Sequence, residues 1–114
     1  MAGRDDRLRQ PGQFIEGLST RPVIREGAFV IHVVQSSDHT RLGMVIPKRW
    51  IKQATRRNQI KRWVREAFRA ISPAQPVHII FRVRSGLGVT GWAKPEREGV
   101  RTQILKAFRL FGAL

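Results

Sequence analysis

The stretch from Thr55 to Ile71 contains neither glycine nor proline, and it constrains the fold more than any other part of the chain. At about 100° per residue, Ile60, Trp63, Val64, Ala67, Phe68 and Ile71 fall on one arc of a helix. Arg57, Asn58, Lys61, Arg62, Arg65 and Arg69 fall on a second arc beside it, and Gln59 and Glu66 lie outside that basic arc. Thr55 is the expected N-cap, and Ser72-Pro73 the expected stop. One face packs and the other is free to bind.

The apolar arc needs a surface to cover, and the flanking sequence supplies strand candidates. Ala28–Gln35 is β-branched and mostly apolar, Leu42–Ile46 follows a polar turn and stops at Pro47, and Val77–Val83 follows Pro76. A shorter strand is expected over Arg21–Arg25, ended by a turn at Glu26-Gly27. Phe14, Ile15 and Leu18 stand at helical spacing, and Pro95 opens a last helix containing Ile104, Leu105, Phe108 and Phe111. The order is α-β-β-β-α-β-α: an α+β sandwich of helices packed on one small sheet. With 114 residues and no internal repeat, a single domain is expected over residues 13–114, preceded by a flexible segment over residues 1–12.

Charge narrows the partner. The chain has 22 Lys+Arg against 8 Asp+Glu, a formal +14 at pH 7. Such an excess favours a polyanionic ligand, nucleic acid first and an anionic membrane surface second. Nine basic residues and one acidic residue lie between Lys48 and Arg69. A merely solvated helix face would mix signs in pairs one turn apart, and this one hardly does.

Catalytic groups are sparse. Cysteine is absent, the eight acidic residues are scattered, and His32, His39 and His78 lack metal-ligand spacing. Ser85-Gly-Leu-Gly88 lacks the Lys-Ser/Thr of a phosphate loop and reads as a turn. Trp63 belongs to the packing arc, whereas Trp50 and Trp92 lie near loops, open to packing or to base stacking. Phe14 and Phe29 are ambiguous in the same way. No apolar run approaches membrane-spanning length, and the first residues lack a signal peptide's hydrophobic region. A cytoplasmic, monomeric protein is the expectation.

The string Arg57-Asn58-Gln59-Ile60-Lys61-Arg62-Trp63-Val64-Arg65-Glu66-Ala67-Phe68-Arg69 closely resembles the signature Arg-Asn-Arg-x-Lys-Arg-x-x-Arg-Glu-x-Phe-Arg of the bacterial ribonuclease P protein subunit. The stretch Arg41-Leu42-Gly43-Met44-Val45-Ile46-Pro47-Lys48-Arg49 is similar to the family's preceding strand and its basic end. The resemblance covers Phe14 to about Leu110. It implies a protein that assists a large catalytic RNA in removing the 5′ leader of precursor tRNA, with magnesium ions held mainly by that RNA. By position, Arg57, Asn58, Lys61, Arg62, Arg65 and Arg69 then contact the catalytic RNA. Phe14, Leu18, Phe29, His32, Lys48, Arg49 and Arg84 map to a cleft for the single-stranded leader. The resemblance also implies a small mixed sheet with a left-handed β-α-β crossover, where the general rule gives a right-handed one. Two departures stand out: Gln59 replaces an arginine, and Leu18 stands where the family often has a second aromatic.

Three other readings fit part of this pattern. A ribosomal or structural RNA-binding protein explains the charge but not the signature. A membrane-surface amphipathic helix explains the adjoining arcs but not the strands around them. A protein-only nuclease would need acids closer together.

Overall fold

The computed structural model of the chain describes residues 6–114. In chain order they form α1 (Pro11–Leu18), β1 (Ile24–Glu26), β2 (Phe29–Gln35), β3 (Arg41–Val45), α2 (Ala54–Arg69), β4 (Val77–Val83) and α3 (Lys94–Gly112). This is the expected α-β-β-β-α-β-α order. The sheet runs β1-β2-β4-β3, with β1–β2 and β2–β4 antiparallel and β3–β4 parallel. A parallel pair of neighbours cannot be joined by a tight hairpin, and here the connection from β3 to β4 contains α2.

The two central strands are covered on both faces, so FVIHVVQ and VHIIFRV read as nearly continuous apolar runs. Alternation nevertheless divides them. Phe29, Ile31, Leu42, Ile79, Phe81 and Val83 join one buried cluster with Ile60, Trp63, Val64 and Ala67 of α2 and Val100, Ile104, Ala107 and Phe108 of α3. Phe81 is central to it, 5.2 Å from the Phe29 ring and 6.0 Å from that of Phe108. Burying each such ring contributes about 1.5–3 kcal/mol. The opposite face carries Val30, His32, Gly43 and Ile80, in cross-strand register, and is covered by α1.

Several boundaries differ from expectation: β1 is Ile24–Glu26 rather than Arg21–Arg25, so Glu26 ends the strand instead of starting the turn, and β3 is shifted one residue back to Arg41–Val45. The cap of α2 is Gln53, which makes no side-chain capping bond, and Thr55 lies inside the first turn. The cause is Arg57, whose guanidinium donates to the carbonyls of Ile51 (2.9 Å) and Lys52 (2.8 Å) and fixes the cap two residues before Thr55. Part of the segment expected to be flexible is also placed against the sheet. Residues 1–5 lie outside the described residues, but Leu42 N–H donates to the Asp6 carbonyl and Leu8 N–H to that of Leu42, at 2.7 and 2.8 Å. Leu8 is buried in consequence, and Pro11 opens α1 with its φ already near helical. Residues 6–12 are therefore held along β3 and in the first turn of α1.

Candidate nucleic-acid interface

On α2 the two arcs separate as the periodicity requires. Ile60, Trp63, Val64 and Ala67 are buried. Asn58, Arg62 and Arg69 are exposed, and Arg57, Lys61 and Arg65 are half-buried, which suits long stems lying along the helix with their charges outward. Among the described residues, Lys61, Arg62, Arg65 and Arg69 have no carboxylate partner. Arg57 differs, because it is committed to the two carbonyls that start the helix.

The residues outside the basic arc turn toward α3 and the loop before it. Glu66 approaches Arg101 at 3.5 Å. Gln59 accepts the indole N–H of Trp92 through Oε1 at 2.8 Å. Trp92 stacks on Trp63 with ring centroids 6.1 Å apart, and the Arg56 guanidinium lies 5.2 Å from the Trp92 ring. An arginine at position 59 has donors only and could not accept that N–H. The departure from the signature is thus matched to a tryptophan 33 positions away.

The other candidate residues gather less completely. Phe14 lies over Gly43: a Cβ there would meet the Phe14 ring at 2.7 and 2.8 Å, so the bare strand position makes room for the ring. Leu18 is 36% exposed on the same helix. Gly17, between them, packs against Ile80, where any side chain would collide. Lys48 and Arg49 leave the end of β3, and Arg84 leaves the same end of its parallel neighbour β4. All three are exposed, and Arg84 also donates to the Gly27 carbonyl at 3.3 Å.

His32 faces α1 but is only 2% exposed. Its Nδ1–H donates to the Thr20 carbonyl at 3.0 Å, and Nε2 accepts from Arg82 Nε at 3.3 Å. Burial holds its pKa below the ordinary 6.5; the Arg82 charge adds to this, and the Thr20 carbonyl opposes it. It is a neutral brace beneath the end of α1. Phe29 does not belong with this group. It lies three residues from His32 on one strand, so its side chain points to the opposite face, fully buried against Phe81.

Sequence reasoning missed Arg82, which shares a face with His32 and Val30. Its two-residue spacing from Ile80 was the available signal. The Gln59–Trp92 pair left no such signal. Among the described residues no three His, Asp or Glu side chains converge as a metal site. The described residues therefore offer no clustered ligand set for magnesium, and no chemical step is assigned to a protein-held ion.

Comparisons with known proteins bear on the family and the fold. The Ribonuclease P family model matches residues 2–109. A ribonuclease P protein component from Bordetella avium is 37% identical over 86 residues, covering 72% of each chain. The solved ribonuclease P protein from Thermotoga maritima superposes with a TM-score of 0.61 at 29% identity, over 90% of this chain and 96% of that one. The Staphylococcus aureus protein shares the fold, with a TM-score of 0.67 at 24% identity over 94% and 92% of the two chains. No helix among the described residues is long and apolar enough to cross a membrane. With its signature on an outward cationic helix and its three helices on a four-stranded mixed sheet, the chain belongs to the bacterial ribonuclease P protein component family.

Proposed function

We propose that this chain binds the catalytic RNA of ribonuclease P through α2 and holds the single-stranded 5′ leader of precursor tRNA near α1. The observation that carries this reading is the run of cations on α2 with no carboxylate partners among the described residues. Arg57, Asn58, Lys61, Arg62, Arg65 and Arg69 follow the phosphate backbone of the catalytic RNA, and counterion release drives the association. Phe14 and Leu18 offer apolar contact to unpaired leader bases, and Lys48, Arg49 and Arg84 attract the phosphates between them. His32 acts from beneath by bracing α1 rather than by touching the leader. The RNA performs the hydrolysis in the cytoplasm with magnesium held mainly by its own phosphates, and a single copy of the protein positions the substrate.

The test is cleavage of a leader-bearing precursor by the catalytic RNA at low magnesium, with and without the protein. Stimulated cleavage at the mature 5′ end is expected. An absence of stimulation contradicts the reading, and cleavage by the protein alone would overturn its non-catalytic role.

A further inference from the structure

A groove of about 290 Å³ lies where the turn after β3 meets the loop after β4. Arg49, Trp50, Lys52 and Arg56 line one side, and Leu87 and Val89 come from the other loop. No carboxylate lines it. Trp50 is 37% exposed, unusual for so large an apolar ring without a partner to cover it, and the Arg49 guanidinium lies 5.0 Å from the ring centroid. Nε of Arg56 is shielded from solvent with no hydrogen-bond partner. The volume is at the small end of ligand sites, which span about 300–1,000 Å³.

We infer that this groove binds one unpaired nucleotide of the catalytic RNA, its base stacked on the Trp50–Arg49 pair and its phosphate near Lys52 and Arg56. The inference rests on the function proposed above and adds a subsite to it. Aromatic and guanidinium planes are the surfaces on which splayed-out RNA bases stack, and stacking tolerates any base. Three cations without an acid select a polyanion. The groove adjoins the start of α2 and takes no residue from α1, so it continues the surface proposed for the catalytic RNA rather than the one proposed for the leader. Arg49 then serves the groove in addition to its place near the leader.

The full chain and its Trp50→Ala, Trp50→Phe and Lys52→Ala variants are titrated with catalytic RNA at several salt concentrations. The reconstituted enzymes are then titrated with precursors carrying long and short leaders. Trp50→Ala is expected to weaken binding to the catalytic RNA about 5- to 100-fold without changing the salt slope, because stacking releases no counterions. Trp50→Phe should restore most of the affinity, and Lys52→Ala should lower the log–log slope by about 0.7. Val89→Glu, which places a carboxylate on the opposite wall, should weaken binding with Trp50 intact. It carries the test if Trp50→Ala does not fold. Unchanged affinity in Trp50→Ala and Val89→Glu, while the wild-type chain still stimulates cleavage, overturns the groove and leaves the wider function standing. A loss confined to precursor affinity that grows with leader length assigns the groove to the leader and overturns the inference.

Discussion

The amide oxygen of Gln59 takes the indole N–H of Trp92 at 2.8 Å, at the position where the family signature has an arginine. Gln59→Arg restores the signature but strands a partly buried donor, and should lower stability by about 1 kcal/mol in urea unfolding. Gln59→Glu keeps an acceptor and should fall less. Equal unfolding midpoints for Gln59→Arg and the parent chain would remove this account of the departure. His32 makes a second prediction at the same scale. Its folded pKa lies below 6.5, so between the two values the unfolded chain binds more protons than the folded one. Stability should therefore rise with pH through that window, level off above about 6.5 and be lost as pH falls below it. Unfolding midpoints from pH 5 to 8, with an NMR titration of the His32 ring, check this; a ring titrating at or above 6.5 refutes it. Asp38 pulls in the same direction only in far more acidic solution, because its hydrogen bond from Arg41, helped by His39 N–H and Ser36, holds its carboxyl well below the ordinary 3.8.

Among the elements, α1 depends on two bare positions, Gly17 against Ile80 and Gly43 under Phe14. Gly43→Ala should force the Phe14 ring aside, cost about 1–3 kcal/mol and weaken precursor affinity more than affinity for the catalytic RNA. A crowded Gly43→Ala chain that unfolds and binds precursor like the parent would show that α1 is not seated this way. What was legible in the sequence divides along the same lines. The arcs of α2 were readable because they depend only on the helical repeat of one segment, and β4 was bounded correctly by Pro76 and its β-branched run. The helix start was missed because Arg57 reaches back to carbonyls that no local capping rule includes. Strand alternation puts Phe29 and His32, which the family resemblance assigned to one cleft, on opposite faces, yet only the register and the placement of α1 decide which of them faces the core of α2 and α3. Gln59 and Trp92 meet only because α2 and the loop before α3 lie side by side.

For the molecule as a whole, a formal charge of +14 is carried on a body with a radius of gyration of 13.8 Å. Self-repulsion should make the free chain less stable than its core allows, and bound anions should relieve it. Pyrophosphate is therefore expected to raise the unfolding free energy, beyond chloride at matched ionic strength, by about 2.7 kcal/mol at a hundredfold excess over its Kd, and the unfolding midpoint should rise with it. Identical midpoints in the two salts would contradict that. The three layers also keep the two proposed surfaces apart, with α1 on one sheet face and α2 on the other. A substitution on α2 should for that reason leave the leader side intact. The most direct measurement is the affinity of Lys61→Ala, Arg65→Ala and the double variant for catalytic RNA across a salt series, beside the affinity of the reconstituted enzymes for precursor at saturating protein. Weaker binding to the catalytic RNA, with the log–log slope reduced by about 0.7–0.9 for each cation removed and precursor affinity unchanged, is the predicted result. Catalytic-RNA affinity equal to that of the parent chain, with loss only in affinity for leader-bearing precursor, would contradict it.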